Sequence, residues 1–360
     1  MIERSDDERQ KFARGGAILK AVVINEHGGT DVLKYTDFPD PQVGPGEVLV
    51  EVKACALNHL DLWVRRGLPG IEFKFPHILG CDVSGRVKEV GQGVRNVKPM
   101  DRVLVSPGVS CMHCEQCLSG QDNLCRSYHI VGYARLGGYA EYLKLPSVNA
   151  VPIPGTLSFE EAAAIPLVFL TAWHMLVTRA KLKAGETVLV HAAGSGVGSA
   201  AIQIAKLLKA RVFATASTEE KLAKARELGA DEIINYTEKD FAIEVRRLTS
   251  KRGVEVVFEH TGTATWEKSV LSLSANGRLV TCGATSGYQA QLDLRHVFAR
   301  HLNVLGSYMG AKHELLEVLK FFATGQLRPV IDRVLPLSEA AAAHEVLESR
   351  AQFGKVVLTP

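Results

Sequence analysis

The chain contains two different patterns of apolar and polar residues, and the first covers residues 19–145. Short apolar runs such as KAVVIN (20–25), EVLVEVKAC (47–55) and RVLVSP (102–107) alternate there with turns rich in Gly and Pro, such as PQVGPGE (41–47). Apolar runs of this length between turn residues are typical of β-strands. The first part of the chain therefore predicts an irregular, β-rich domain.

The second pattern begins at residue 187, where apolar runs alternate with segments of helical periodicity. The strand segments include TVLVHAA, RVFATA, DEIINY and VEVVFEHTG, and the helical segments include VGSAAIQIAKLLKA and TEEKLAKARELG. This alternation is typical of a doubly wound parallel sheet, so the fold class is predicted to be α/β. A helical segment, HELLEVLKFFATG, and a last strand, KVVLTP, follow, and we expect that strand to return to the first domain.

These patterns predict four segments. Residues 1–18 are expected to form a charged, flexible N-terminal extension and residues 19–164 the β-rich domain, with a cysteine-containing lobe at about 108–128. Residues 165–304 are expected to form the domain with the parallel sheet, and residues 305–360 to return to the first domain.

Charge and hydropathy exclude some functions. The formal net charge is +3 over 360 residues, which predicts no nucleic-acid partner. No segment reaches about 18 uninterrupted apolar residues, and the N-terminal stretch lacks the apolar run of a secretory signal. We therefore expect a cytoplasmic protein without a membrane partner.

A glycine-rich turn follows the first strand of the parallel sheet. The strand TVLVHAA leads into Gly194, Ser195, Gly196, Val197 and Gly198, and a helix follows at once. Exposed backbone amides and the positive end of a helix meet there, which suits a pyrophosphate. The strict G-x-G-x-x-G fingerprint fails because residue 199 is Ser, but the position of the turn in a βαβ unit supports a dinucleotide site.

The end of the second strand bears on the choice between NAD(H) and NADP(H). NAD enzymes usually present an acidic residue there to the ribose 2′-hydroxyl, whereas this chain has Ala216, followed by Ser217. Ser217 can donate a hydrogen bond to a 2′-phosphate, and Lys221 can supply positive charge. NADP(H) is therefore favoured over NAD(H), although a shifted register could bring Glu219 or Glu220 close to the ribose.

Other predicted cofactor contacts lie at later strand ends. His260 and Thr261 follow a parallel strand at its carboxyl end, where cofactors bind in such sheets, and are predicted to line the nicotinamide. Tyr236 is included among the predicted cofactor-binding residues.

Four of the seven cysteines lie within fifteen residues, at Cys111, Cys114, Cys117 and Cys125. Four thiolates can complete a tetrahedral Zn(II) site, and a closed site of this kind is structural rather than catalytic. The alternatives are unpaired cysteines in a loop and an iron–sulfur cluster.

Together these motifs resemble the medium-chain dehydrogenase/reductase superfamily, which contains zinc alcohol dehydrogenases and zinc-free quinone reductases. The marks of the resemblance are the four-cysteine lobe, the segment GGYAEY (137–142), the pair Thr171-Ala172, the turn AAGSGVG and the closing GKVV (354–357). The resemblance covers the chain from about residue 20 to 360. It implies a GroES-like catalytic domain joined to a Rossmann domain, and a homodimer or homotetramer that pairs its nucleotide-domain sheets edge to edge.

The zinc alcohol dehydrogenases of this superfamily hold a second, catalytic zinc, and its ligand positions differ here. Asn58 stands in place of the first cysteine, Cys81 in place of the histidine, and Leu167 in place of the last cysteine. The residues of the alcohol proton relay are likewise replaced, by Leu60 and Trp63. The prediction is therefore no catalytic zinc, with an irregular site formed by Cys81, Asp82 and His59 as the alternative.

The resemblance then implies an NAD(P)H-dependent reductase of quinones, enones or enoyl compounds, with a small carbonyl compound as substrate. Asn58, Asp61 and Tyr308 are the predicted catalytic residues: Asn58 as a hydrogen-bond donor, Asp61 fixing the loop or ribose, and Tyr308 as proton donor. Thr171 and Lys355 are predicted cofactor contacts, Lys355 near the phosphates. A zinc-dependent alcohol dehydrogenase and a non-catalytic NADPH-binding protein are the alternatives.

Overall fold

The computed structural model describes residues 18–360, so the predicted N-terminal extension lies outside the described residues except for Ile18. The first domain is built around a seven-stranded sheet with a three-stranded sheet beside it. Strand Glu47–Ala56 lies inside the larger sheet, and seven of its ten residues are buried. The strands of this half are Ile18–Ile24, Lys34–Pro39, Glu47–Ala56, His77–Ile78, Asp82–Val90, Arg102–Val105, Gly108–Val109, His129–Ile130, Tyr142–Pro146 and Ala150–Pro152.

The second domain contains a six-stranded sheet in which every neighbouring pair is parallel. Its spatial order is Glu232–Asn235, Arg211–Ala216, Thr187–Val190, Val254–Glu259, Leu273–Thr281 and Asn303–Gly306. The chain thus reverses direction across the sheet between its first and fourth strands, as doubly wound folds do. The α/β fold class is confirmed.

Helices cover both faces of the parallel sheet, and apolar side chains fill the space on each side. Helix Trp266–Ser272 ends where Leu273 enters a strand. The α-helices are His59–Arg66, Glu115–Leu118, Phe159–Ala163, Pro166–Trp173, Gly196–Leu207, Glu219–Glu227, Phe241–Leu248, Trp266–Ser272, Leu294–Ala299, Lys312–Ala323 and Ala340–Glu348; a π-helical segment spans His174–Arg179, and 3₁₀ turns span Thr30–Val32, Asp122–Leu124, Ser147–Asn149 and Leu337–Glu339.

The C-terminal segment joins the two halves. Strand Lys355–Thr359 pairs antiparallel with Glu47–Ala56 and parallel with Ile331–Pro336, so both late strands extend the sheet of the first domain. Helix Lys312–Ala323 instead packs beside helix Pro166–Trp173, in the core next to the parallel sheet. The return to the first domain is therefore made by the two strands together with helix Ala340–Glu348, whose buried residues belong to the first-domain core. None of the described helices combines the length and apolar character that crossing a bilayer requires.

Candidate active site

A cleft of about 460 Å³ opens between the two domains, at the carboxyl ends of the parallel strands. Strands Thr187–Val190 and Val254–Glu259, where the strand order reverses, lead into it. No described residue that lines the cleft is Asp or Glu, so its charged groups favour an anionic ligand. Its basic lining residues are Lys221, Lys239, Lys268, Arg350 and Lys355.

The glycine-rich turn forms one wall of the cleft. The hydroxyl of Ser195 accepts a hydrogen bond from the Gly198 amide at 2.9 Å and so caps helix Gly196–Leu207. A Cβ atom on Gly198 would lie 2.4 Å from the Ala192 carbonyl oxygen, so this turn requires glycine. The Gly354 amide donates to the Gly194 carbonyl at 2.8 Å and ties the turn to the first domain.

Two buried polar atoms that line the cleft lack a hydrogen-bond partner among the described residues. They are the Thr171 hydroxyl and the Gln352 side-chain carbonyl oxygen. Buried polar atoms are nearly always satisfied, so both indicate that a polar ligand completes the site. The basic lining, the glycine turn and these two atoms fit a dinucleotide.

At the end of the second strand, no acidic residue of the described chain faces the cleft. Ala216 is buried, and no carboxylate of the described chain lines the cleft beside it. Glu219 accepts a hydrogen bond from Asn235 at 3.0 Å, and Glu220 pairs with Lys224 at 2.8 Å, so neither faces the cleft. The predicted contacts Ser217, Lys221 and Tyr236 all line it.

Histidines line the middle of the cleft, and burial keeps them neutral. His260 donates its Nε2 hydrogen to the His191 carbonyl at 3.0 Å, and burial lowers the pKa of His260. His59 lies across the cleft, where burial lowers its pKa to about 4. Thr261 lines the cleft beside His260. At neutral pH these imidazoles can serve as hydrogen-bonding groups but add no positive charge.

Three polar side chains meet at the base of the cleft, and we call Asn58, Asp82 and Lys355 the base cluster. The Lys355 ammonium donates to Asn58 Oδ1 at 2.5 Å and to Asp82 Oδ2 at 2.9 Å. Asn58 Nδ2 donates to the same Asp82 oxygen at 2.9 Å, and the other Asp82 oxygen accepts from the Leu167 amide at 2.8 Å. All three side chains are buried, Asp82 completely.

This geometry changes two sequence-based expectations. The Asn58 amide nitrogen faces Asp82 and the Cys81 sulfur, at 3.3 Å, so it is engaged within the protein and does not present a donor to a substrate. Lys355 was expected at the cofactor phosphates. Its aliphatic stem does pass beside the glycine turn, where a Cβ on Gly196 would lie 2.8 Å from Lys355 Cδ, but the ammonium turns toward the base cluster.

Asp61 does not line the cleft, although the sequence predicted it as a catalytic residue. Its carboxylate accepts a hydrogen bond from the backbone amide of Asn58 at 2.7 Å, which caps helix His59–Arg66. It accepts a second one from the backbone amide of Gly80 at 3.0 Å. Burial raises the pKa of Asp61 to about 6. Asp61 therefore fixes the loop that carries Asn58, a role that the motif also allowed.

The positions of the catalytic-zinc ligands do not fit a zinc ion. Leu167 offers no ligand atom, and the side-chain amide of Asn58 is a weak ligand for zinc. Both carboxylate oxygens of Asp82 are already hydrogen-bonded. Burial raises the pKa of the Cys81 thiol, which disfavours the thiolate that zinc requires. Within residues 18–360, Cys81, Asp82 and His59 are not gathered into a group able to share an ion, unlike the cysteine lobe.

Tyr308 lines the cleft with its side chain 54% exposed. Its ring meets the edge of Tyr128 at 6.1 Å between centroids, and its carbonyl accepts from Asn123 Nδ2 at 3.2 Å. Both partners belong to residues 108–128, the predicted cysteine lobe, so that lobe helps to position the segment that carries Tyr308.

The four clustered cysteines converge as predicted. Their sulfurs all lie within 4.8 Å of one another, and three pairs are separated by 3.5, 3.6 and 3.9 Å. Four sulfurs at about 2.3 Å from a tetrahedral zinc would lie about 3.8 Å apart, so the group fits Zn(II). The backbone amide of His113 lowers the pKa of the Cys111 thiol to about 6, whereas burial raises the pKa of the Cys117 thiol to about 11.

Several lining residues were missed from the sequence. Thr215 precedes a strand end and could have been found from that position, whereas Arg350 and Gln352 come from the loop before the last strand and carry no local signal. Among the large aromatic residues near the cleft, Trp63 lines it. Phe169 and Trp173 instead pack against helix Lys312–Ala323.

Comparisons with known proteins agree with this architecture. Residues 44–155 match the alcohol dehydrogenase GroES-like domain, and residues 196–324 match the zinc-binding dehydrogenase domain. The quinone oxidoreductase of Lama guanicoe is 31% identical over 355 residues, covering 96% of this chain and 99% of its own. The acryloyl-coenzyme A reductase of Metallosphaera sedula is 33% identical over 347 residues, covering 95% of this chain and 100% of its own.

Among solved structures, that of an NAD-dependent alcohol dehydrogenase is 52% identical, with a TM-score of 0.92, covering 95% of this chain and 99% of its own. The two domain matches, the relatives and the cleft together confirm the predicted resemblance. The chain belongs to the medium-chain dehydrogenase/reductase superfamily, in its quinone oxidoreductase-like branch, and is an oxidoreductase that uses a nicotinamide cofactor.

Proposed function

We propose that this protein reduces a carbonyl group conjugated to a carbon–carbon double bond, or a quinone, with NADPH and without a catalytic metal. The observation that carries the proposal is the base cluster. At the three positions of the catalytic-zinc ligands the chain has an amide, a buried thiol with a raised pKa and a leucine, and the neighbouring carboxylate of Asp82 is paired with Lys355. Conjugated acceptors spread the developing charge and need less polarisation than an isolated ketone, so hydrogen-bonding groups suffice.

A bound dihydronicotinamide supplies the hydride. The chain orients the acceptor against it in a cleft with an apolar wall that includes Leu60, Trp63 and Leu167, which limits the access of water. The Tyr308 phenol lines the same cleft and is proposed to pass a proton to the product, with water as its source. Tyr308→Phe should then lower turnover without changing cofactor affinity.

The preference for NADPH is supported by the charge at the end of the second strand. Ser217 and Lys221 line the cleft there, Arg350 lies nearby in the lining, and no described carboxylate opposes a 2′-phosphate. The cysteine lobe is proposed to hold one structural zinc per chain through Cys111, Cys114, Cys117 and Cys125. Such closed sites contribute to folding and leave no position for a substrate.

A second candidate function is the interconversion of an alcohol and a carbonyl compound with NAD. It is supported by the 52% identity to the NAD-dependent alcohol dehydrogenase. The positions of Asn58, Asp82 and Leu167 argue against it.

The deciding experiment follows NADPH absorbance with an enone, a quinone, a saturated ketone and an aldehyde, and follows NAD⁺ reduction with primary and secondary alcohols. We expect turnover with the enone and the quinone and little with the saturated ketone. Zinc-dependent oxidation of an alcohol, with no activity on enones or quinones, would establish the second candidate instead. NADPH binding without turnover of any compound would indicate a binding protein.

A homodimer is also proposed. Strand Asn303–Gly306 forms one edge of the parallel sheet, and Val304 on it is 42% exposed. An apolar edge strand of this kind is commonly covered by another chain.

A further inference from the structure

We propose that the Lys355 ammonium is the group that binds the substrate carbonyl oxygen during hydride transfer, and that Asn58 and Asp82 position it. The inference rests on the proposed function, because it assigns the residue that stabilises the charge formed on a conjugated carbonyl. In this role a protein ammonium performs, at the base of the cleft, the polarising task of a metal ion.

The hydrogen bonds of Lys355 leave one donor for a ligand. An ammonium carries three N–H groups. Two of them are used by Asn58 Oδ1 at 2.5 Å and Asp82 Oδ2 at 2.9 Å, and the part of the chain that the structure describes offers no acceptor for the third. Lys355 is among the residues that line the cleft, and 3% of its surface is exposed.

The base cluster holds this ammonium in one place. A buried ammonium needs a paired charge, and Asp82 provides it. The Asp82 carboxylate is itself fixed by the Leu167 amide and by Asn58 Nδ2. Because the Asn58 amide donates to Asp82, its oxygen must face Lys355. A donor that is already oriented needs no reorganisation as charge develops, which is the main requirement for stabilising an oxyanion.

The position of Lys355 also connects it to the cofactor wall. Its stem lies against Gly196, and the next residue back, Gly354, bonds to the glycine turn. The ammonium therefore lies between the expected phosphate site and the place where other members of the superfamily bind a catalytic cation. Cys81, which could otherwise supply a thiolate there, is neutral and serves as a weak acceptor for Asn58.

The chemistry balances for an enone. Hydride from the reduced cofactor forms a C–H bond at the β-carbon. The π pair of the C=C bond then moves between the α-carbon and the carbonyl carbon, and the π pair of the C=O bond moves onto oxygen. The Lys355 ammonium stabilises the resulting enolate oxygen by a charge-assisted hydrogen bond. A proton that derives from water then reaches the α-carbon, and the oxidised cofactor leaves. A quinone accepts charge more readily and depends less on this contact.

The test compares Lys355→Met with wild type on both acceptor classes. We expect kcat for the enone to fall about 100- to 1000-fold and kcat for the quinone to fall far less, with the dissociation constant of NADPH, measured by fluorescence, changed less than about threefold. Lys320→Met removes an exposed lysine that does not line the cleft and should leave all three values unchanged. Lys355→Arg keeps the charge but alters its geometry and should recover part of the enone rate.

If kcat falls equally with the enone and the quinone and NADPH binds more weakly, the inference is overturned and Lys355 is assigned to the cofactor phosphates. If Lys355→Met fails to fold, Asn58→Leu tests the same point without removing a charge. It should lower enone turnover about tenfold at unchanged NADPH affinity, and unchanged turnover would overturn the inference. A wild-type protein that reduces neither acceptor would instead refute the proposed function itself.

Discussion

At residue 58 an amide takes the place of a metal-binding thiolate, and this one difference changes what its neighbours bind. The Asn58 amide hydrogen-bonds to Asp82 and Lys355, so a carboxylate and an ammonium neutralise each other inside the protein. Asp61 supports the arrangement from outside the cleft, because its carboxylate accepts hydrogen bonds from the backbone amides of Asn58 and Gly80. The contacts of this single residue therefore decide which chemistry the cleft can perform.

Asp61 predicts a pH-dependent contribution to stability. Its pKa is raised from 3.8 to about 6 by burial, so the folded state holds this proton more tightly than the unfolded chain. Between pH 4 and 6 the folded state binds more protons, and stability falls as pH rises, by about 3 kcal/mol in total. The titratable groups that share this environment are Asp82, Lys355, Cys55, Cys81 and Tyr139.

Urea unfolding of wild type and Asp61→Asn at several pH values measures this effect. The free energy of unfolding of wild type, minus that of the variant, should decrease as pH rises from about 4 to 6 and stay constant above that range. A difference that does not change with pH would contradict the raised pKa of Asp61.

Ala216 predicts the cofactor preference. Ala216→Asp places a carboxylate beside the position expected for the 2′-phosphate, where it repels a phosphate and can accept a hydrogen bond from a ribose hydroxyl. We expect kcat/KM for NADPH to fall and that for NADH to rise, with the ratio changing about tenfold or more. Lys221→Ala should weaken NADPH more than NADH. Equal wild-type kcat/KM values for the two cofactors would refute the preference.

At the scale of elements, the cysteine lobe and the final strand each connect distant parts of the chain. The lobe contacts the Tyr308 segment through Asn123, and the side chain of Asp122 accepts the Lys312 amide at 2.8 Å. Strand Lys355–Thr359 brings Lys355 to the base of the cleft while it extends the first-domain sheet. The cysteine lobe and the last strand thus determine where Tyr308 and Lys355 lie.

The lobe predicts a structural metal. Purified protein should contain one zinc per chain, and Cys114→Ser should lose it and lower the melting temperature, since structural zinc contributes to folding. Cys282→Ser, which changes a cysteine outside the lobe, should keep one zinc. Metal analysis and thermal unfolding measure both effects. A second zinc that is lost on Cys81→Ala would point to the irregular site.

At the scale of the whole molecule, two domains and an exposed sheet edge suggest how chains associate. The cleft needs both domains, because its glycine turn and its base cluster come from different sheets. The edge strand Asn303–Gly306 lies outside the cleft, so association through it leaves the site open.

Light scattering at micromolar concentration should give the mass of a dimer or tetramer. Val304→Asp adds a buried charge to the proposed interface and should shift the mass toward the monomer. Ile243→Asp, at a position 70% exposed on helix Phe241–Leu248, is the matched control and should not change the mass. A wild-type monomer would exclude edge pairing.

The amino-acid sequence by itself determined the elements whose causes are local. Apolar periodicity located the parallel strands and helices, the glycine turn identified one wall of the cleft, and cysteine spacing identified the lobe, because each pattern is set by neighbours along the chain. Only the tertiary structure decided the base cluster. Asn58, Asp82 and Lys355 are far apart in sequence, and their side chains meet because strand Glu47–Ala56 pairs with strand Asp82–Val90 and with the last strand. No local pattern records where a long, flexible ammonium side chain will find its partners, since burial and charge pairing across the fold determine it.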